Sequence, residues 1–207
     1  MVKKSELSLY KAQRYTRPLI AIKLKDDDEV IDVHLTDGTK QIFLSTYLGY
    51  GLRIVEEEVS PIGIRTAGVI GIRLKDGDFV TAGQLIEDEE KEYIVLATQR
   101  GAIKRMSMDE FDIQSRATRG MIMHRELKTN PHRVIGVVIA KMTDQVQLIT
   151  EKDHSQTIAV NEIRLTDRYS NGSFIIDEKE AGETKEISIR ITAPEKLENQ
   201  DENDKAD

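Results

Sequence analysis

Three threonines, Thr46, Thr98 and Thr150, stand 52 residues apart, and the sequence around each repeats. Gly49 and Gly101 follow the first two by three residues. Gly68, Gly120 and Gly172 keep the same interval, as do Glu58, Glu110 and Glu162. Aliphatic runs fall in step: IFLST at 42–46, IVLAT at 94–98, VQLIT at 146–150. A fixed period near 50 residues, filled by short apolar runs and turn residues, is the signature of four-stranded blades set around an axis. One blade cannot bury its own faces, so the copies must stack into a single repeat-built domain.

The clearest copy runs from Tyr93 to Ala140. It reads as four strands, YIVLAT, AIKRMSM, GMIMHREL and RVIGVVIA, with polar turns between them. The second copy covers about Lys40 to Ile86 and the fourth Gln145 to Ile191. The first is partial: VKKSELSLYKAQRYTRP (2–18) lies over IKRMSMDEFDIQSRATRG (103–120), with nothing ahead of it to match YIVLATQRG. The simplest reading is a piece cut from a longer protein. PLIAIKLKDDDEV (18–30) matches GVIGIRLKDGDFV (68–80), and both read as a strand running into an Asp-rich hairpin turn. VIDVHLT (30–36) reads as the fourth strand of the partial copy. Helix signals are nearly absent, although MSMDEF (106–111) has room for one helical turn. The expectation is an all-β, propeller-like domain of three full blades and one truncated one over residues 1–192. A disordered acidic tail, 193–207, follows it.

Composition fits thin blades. The hydrophobic share is 39% and the charged share 32%, against the 45–50% apolar content of ordinary globular chains. There is no Cys, which excludes disulfides and thiolate metal sites. No apolar run approaches 18 residues and no signal-peptide pattern opens the chain, so a soluble cytoplasmic protein with no membrane partner is expected. The net charge of −7 argues against a nucleic-acid partner only if taken as a sum. The last fifteen residues hold six acids and two lysines and so supply −4 of it.

Catalytic signals are missing. His34, His124, His132 and His154 have no metal-ligand spacing and do not follow the period. There is no phosphate-cradling loop and no nucleophile motif. The G-x-G at 49–51 is followed by no helix pattern and reads as a tight turn. Glu58, Glu110 and Glu162 each precede an apolar residue, which suggests a structural turn position. No cofactor is expected. The basic residues do track the repeat. Before the third strand come Arg14 and Arg17, Arg65, Arg116 and Arg119, then Arg168. On the second strand come Lys3 and Lys4, Arg53, then Lys104 and Arg105. In a radial array matched positions lie on one ring, and a cationic ring is a track for the phosphates of a bent duplex. The other reading of the same residues is solvated loop charge, or pairing with Glu56, Glu57, Glu58, Asp109 and Glu110. In that case the chain is a protein-interaction propeller.

ATQRGAIKRMSMDEFDIQSRATRGMIMHREL (97–127) resembles a blade of the C-terminal domain of the type IIA topoisomerase A subunits. T-x-x-G-x-x-K-R is followed by an acidic–aromatic pair, S-R-A-T-R-G and an alternating strand. The resemblance covers roughly residues 2–191. Within the family, RYTRPLIAIKLKDDDEV is most similar to the topoisomerase IV branch of Gram-positive bacteria, with the gyrase branch as the alternative. It implies a β-pinwheel whose blades exchange strands and whose rim binds and bends duplex DNA, attached to a breakage–reunion core and, through it, an ATPase B subunit. The family's active-site tyrosine lies in that core, so this chain by itself is not expected to be an enzyme. A Q-R-R-G-G-K-G-like gyrase box is absent from this chain. The residues matched to the family's basic loop and second strand, and so expected at DNA, are Lys3, Lys4, Arg14, Arg17, Arg53, Arg65, Lys104, Arg105, Arg116, Arg119, and with them Arg100 and Arg168. Thr157 replaces Arg53 and Arg105 in the fourth copy.

Overall fold

The computed structural model describes residues 1–11 and 18–190. Nearly all regular structure in it is antiparallel β. Eleven strands are formed among the described residues. β1 (Gln41–Thr46), β2 (Tyr50–Val55) and β3 (Val80–Ile86) belong to the second copy. β4 (Glu92–Thr98), β5 (Ala102–Ser107), β6 (Met121–Ile122) and β7 (Val134–Lys141) belong to the third. β8 (Gln145–Thr150), β9 (Ser155–Ala159), β10 (Ser173–Phe174) and β11 (Thr184–Arg190) belong to the fourth. They make three sheets, ordered β3-β1-β2-β6, β10-β5-β4-β7 and β11-β8-β9.

The fourth strand of each complete sheet comes from the next copy. Met121 and Ile122 pair with Gly51 and Tyr50 of the preceding blade. Ser173 and Phe174 pair with Ile103 and Ala102 in the same way. At the matched place in the second copy, Val69 pairs with Val2. The blades therefore exchange strands, as the pinwheel expectation requires. The exchanged strands are only two residues long, against the eight read as GMIMHREL. After them the chain runs along the neighbouring loop: Arg73 N–H donates to Thr118 O (2.7 Å) and Ala117 N–H to Gly71 O (2.6 Å).

Exchange also changes the blade count. The fourth copy's third strand has gone to the third blade, so its own sheet has three strands. The segment 18–40 forms no strand at all, although two were expected there. A strand needs a ladder partner, and among the described residues this segment joins no sheet. Leu19, Ile20, Val33 and Leu35 are accordingly exposed.

The sheets of the second and third blades bury both faces, and the β11-β8-β9 sheet buries one. Along β4, Ile94 and Leu96 enter a core with Phe43, Ala82 and Ile86 of the blade before. Val95 and Ala97, of opposite parity, enter a core with Val146 and Leu148 of the blade after. Ile42, Leu44, Leu52 and Ile54 form a third cluster reaching back to Val2 and Val69. This two-sided burial is why β1 and β4 read as continuous aliphatic runs, whereas β8, buried on alternate residues, carries Gln145 and Gln147. A single 3₁₀ turn recurs after each second strand, at Glu56–Glu58, Met108–Glu110 and Val160–Glu162.

Candidate nucleic-acid interface

The repeated cations divide into two groups, and the larger one faces inward. Arg53 and Arg105 lie on β2 and β5, and each bridges the loop of the following copy at Ile113 and Leu165. Both are buried. Arg53 Nε donates to Gln41 Oε1 (2.6 Å) and its Nη1 to the carbonyls of Met108 and Phe111 (3.1 and 3.3 Å), while Nη2 pairs with Glu89. Arg105 lies against Met142 Sδ and stacks over the Tyr93 ring at 4.7 Å. Lys4, at the same position in the first copy, donates to Glu56 O (3.1 Å) and faces the Glu56 carboxylate at 3.4 Å. Arg53 and Lys4 thus fasten one blade to the 3₁₀ turn of the next.

Lys104 is 1% exposed. Its ammonium donates to the carbonyls of Asp167, Arg168 and Ser170 at 3.2, 3.0 and 2.8 Å. Burial pushes its pKa down to about 7, opposed by Asp167 and Glu110. Three converging acceptors match the three protons of the charged form and favour it. Lys3 donates to Ala21 O. Arg53, Lys104 and Arg105, expected at phosphates, are thus 6%, 1% and 8% exposed. The charges of Arg53 and Lys104 are taken up by partners within the fold, while Arg105 rests on the Tyr93 ring.

Arg116 and Arg168 hold the loops in place. Arg116 N–H donates to Glu58 Oε2 (2.7 Å), and its guanidinium reaches Glu58 O (3.2 Å) and Ile70 O (3.1 Å). Arg168 repeats the arrangement with Glu110 Oε2 (3.2 Å) and Ile122 O (3.5 Å). Glu58 and Glu110 thus receive the amide of the next blade's loop, a structural role. Arg100 donates to Asn130 O (3.1 Å), faces Glu178 at 3.5 Å and stacks on Phe174. Arg14 and Arg17 lie outside the described residues.

Arg65 and Arg119 are exposed, and neither side chain has a bond or ion pair among the described residues. Beside them stand cations that the repeat pattern alone did not single out. Lys23, Arg73 and Arg125 occupy one repeat position and are all exposed. Backbone contacts set each against the loop that follows. Lys23 N–H donates to Thr66 O (3.1 Å), next to Arg65. Arg73 N–H donates to Thr118 O, next to Arg119. Arg125 N–H donates to Asn171 Oδ1 (2.9 Å), in the loop of Arg168. Each seam between copies thus presents an outward cation from the exchanged segment beside the following loop. The signal lies in the strings IKLKD, IRLKD and HRELK, where a cation stands directly before a leucine or a glutamate–leucine pair. In the sequence it is indistinguishable from ordinary strand alternation. Lys25 and Lys75 also recur, but Asp26 and Asp76 adjoin them.

Of the acids named by the rival reading, Glu57 and Asp109 are exposed and the other three are engaged within the fold. Glu56 is buried against Lys4, and Glu58 and Glu110 are engaged by loop amides. His124 and His132 are buried, with ring centroids 6.5 Å apart. His132 Nδ1 lies 3.1 Å from Thr98 Oγ1. Burial, then the Arg100 charge, holds its pKa down at about 4. No group of residues among those described has metal-ligand geometry, and no described helix is long and apolar enough to cross a membrane.

Comparison with known proteins bears on the same geometry. The model of a family described as DNA gyrase C-terminal domain, beta-propeller, matches residues 1–37, 40–87 and 92–141. The A subunit of DNA topoisomerase 4 from Bacillus subtilis (strain 168) is 52% identical over 182 residues, 88% of this chain and 22% of that protein. Its counterpart from Staphylococcus epidermidis is 35% identical over 91% of this chain and 23% of its own length. The chain thus spans less than a quarter of these relatives. A crystal structure of the C-terminal domain of DNA topoisomerase IV superposes with a TM-score of 0.89 at 53% identity, covering 91% of this chain and 58% of that one. A DNA gyrase A C-terminal domain gives 0.74 at 18% identity, covering 86% and 59%, a likeness of fold alone.

Proposed function

The chain belongs to the family of DNA gyrase C-terminal domains, a β-propeller family, and from that premise we propose that it binds and bends duplex DNA on the outer seams of its blades. The observation that carries this reading is the set Lys23, Arg65, Arg73, Arg119 and Arg125. All five are exposed; Lys23, Arg73 and Arg125 share one repeat position, and Arg65 and Arg119 stand in the loops beside the first two. Contacts of this kind meet phosphates, so affinity comes without sequence preference. Bending a short site costs about 1–6 kcal/mol, which demands several contacts acting together. Arg116, Arg168 and Arg100 hold the loops that carry the line and touch DNA at most through their edges.

Similarity to the A subunits of topoisomerase IV supports a fuller reading. The parent protein is a type II topoisomerase component of the bacterial cytoplasm. Its breakage–reunion core cuts DNA, and its ATPase B subunit drives strand passage. Residues 1–192 then steer the transported segment during decatenation and supercoil relaxation. In this division of labour the chain itself needs no cofactor and no catalytic residue.

The test is binding to a short linear duplex across a salt series, comparing the chain with a variant carrying Ala at Lys23, Arg65, Arg73, Arg119 and Arg125. Each lost phosphate contact removes about 0.9 from the slope of log K against log salt, so the slope should flatten by about 4 to 5. An unchanged slope would place the DNA elsewhere and sink the proposal.

A further inference from the structure

Arg53 and Arg105 hold one repeat position, and the two seams they occupy differ in charge. Around Arg53 the chain is acidic. Its guanidinium rests on the carbonyls of Met108 and Phe111, directly ahead of Asp109 and Asp112. It also pairs with Glu89, from a linker after β3 that opens with Glu87. One repeat on, Asn161 and Arg164 stand where Asp109 and Asp112 stood. The linker after β7 opens with Lys141 and brings Met142 to the Arg105 guanidinium. Four acids have become two cations, an amide and a thioether.

Arg105 is left without a counter-charge. It is buried, and among the described residues no carboxylate pairs with it. Its Nε has no acceptor, its guanidinium lies on the Tyr93 ring, and Nη1 meets the Met142 sulfur, a weak acceptor. A ring face and a thioether return less than the ion pair that Arg53 keeps, and a buried charge with no opposite is costly. The neighbouring acids are otherwise placed. The Asp144 carboxylate takes the Lys141 amide at 2.7 Å, and Glu162 is exposed on the 3₁₀ turn.

The cover over this guanidinium is thin. Met142 is 37% exposed, and Leu165, which bridges Arg105 through its backbone, is 50% exposed. Lys141 adjoins Met142 and Arg164 adjoins Leu165, and both cations are exposed. Arg105 N–H donates to Arg164 O (3.4 Å). Methionine is unbranched and can swing aside at little cost. A guanidinium with open donors then takes an oxyanion through two hydrogen bonds at once. A carboxylate would answer Arg105 alone. Two further cations beside it favour the more highly charged phosphate.

We infer that Arg105, beneath Met142 and flanked by Lys141 and Arg164, is a binding site for a phosphate group. Two sources share that chemistry, free phosphate and the backbone of a duplex. Only the second rests on the DNA-binding function proposed above.

Titration with sodium phosphate, against sodium chloride at equal ionic strength, tests the site by NMR at the Arg105 Nε–H and Met142 methyl resonances. Both should shift and saturate in phosphate and hold still in chloride. M142E supplies the carboxylate that Glu89 gives Arg53, so its Arg105 resonance should no longer answer phosphate. R105Q should weaken the response of the Met142 methyl by about tenfold or more, the loss of a charge-assisted contact. A parent chain that ignores phosphate, or an M142E chain that saturates as the parent does, overturns the inference. A short linear duplex separates the sources. If the backbone is the ligand, the duplex shifts the same resonances and displaces added phosphate. If free phosphate is the ligand, the duplex leaves them in place. A chain that takes phosphate here and binds no duplex at all would remove the DNA reading and keep this site.

Discussion

A lysine on a β-strand with 1% exposure behaves as part of the backbone network. Lys104→Met keeps the volume but strands three carbonyl oxygens, so it should cost about 3 kcal/mol in urea unfolding. At the blade seams, Arg73→Ala and Arg125→Ala should leave stability within about 0.5 kcal/mol, since nothing in the fold uses their charges. His132 gives the chain an acid-sensitive point. Its pKa is about 4 in the folded protein and about 6.5 in an unfolded chain. Between those values the unfolded state binds a proton that the folded state refuses, so stability falls as pH drops through that window. Melting temperatures at pH 7, 5.5 and 4.5 should decline accordingly, and His132→Asn should flatten the decline. An equal slope in that variant would assign the acid sensitivity to other groups.

At the scale of the element, the exchanged strand is two residues long, and its seat depends on close backbone approach. Gly120 sits at φ 77°, and a Cβ there would overlap Gly51 O. Gly120→Ala should therefore destabilise by about 2–4 kcal/mol, combining left-handed strain with a displaced ladder. Hydrogen exchange at Met123, whose amide donates to Gly49 O, should report the displacement. A variant as stable as the parent would mean that the ladder can shift without loss. The aliphatic strands β1, β4 and β7 were legible in the sequence, because two-sided burial writes itself as an apolar run, and β8, buried on alternate residues, was legible by its place in the repeat. GMIMHREL was not. Local alternation records that a segment is extended and says nothing of which sheet it joins. The burial of the second-strand cations was hidden for a related reason. Lys104 and Arg105 occupy consecutive positions that in an ordinary sheet would place at least one in water, and only the following copy's loop, about 60 residues on, encloses them both. Lys23, Arg73 and Arg125 escaped notice because their exposure depends on where strand pairing stops.

Over the whole molecule, charge is unevenly distributed, with residues 193–207 carrying −4 of the net −7. Deleting them should tighten DNA binding at low salt, with the gain vanishing at high salt, if the tail competes with phosphates for the seams. Equal affinity of the two chains at low salt would discard that competition. Stability should also divide by interface, since each core cluster joins one pair of neighbours. Strand exchange has a further consequence when the chain is made. Tyr50 must wait for Ile122, and Ala102 for Phe174. At about 5–20 residues per second on the ribosome, an interval of ~70 residues leaves the outer edge of each second strand unpaired for roughly 4–14 s after that strand has emerged. During translation every finished repeat thus exposes a sticky edge for seconds, and the nascent protein depends on the next repeat arriving before a stranger does.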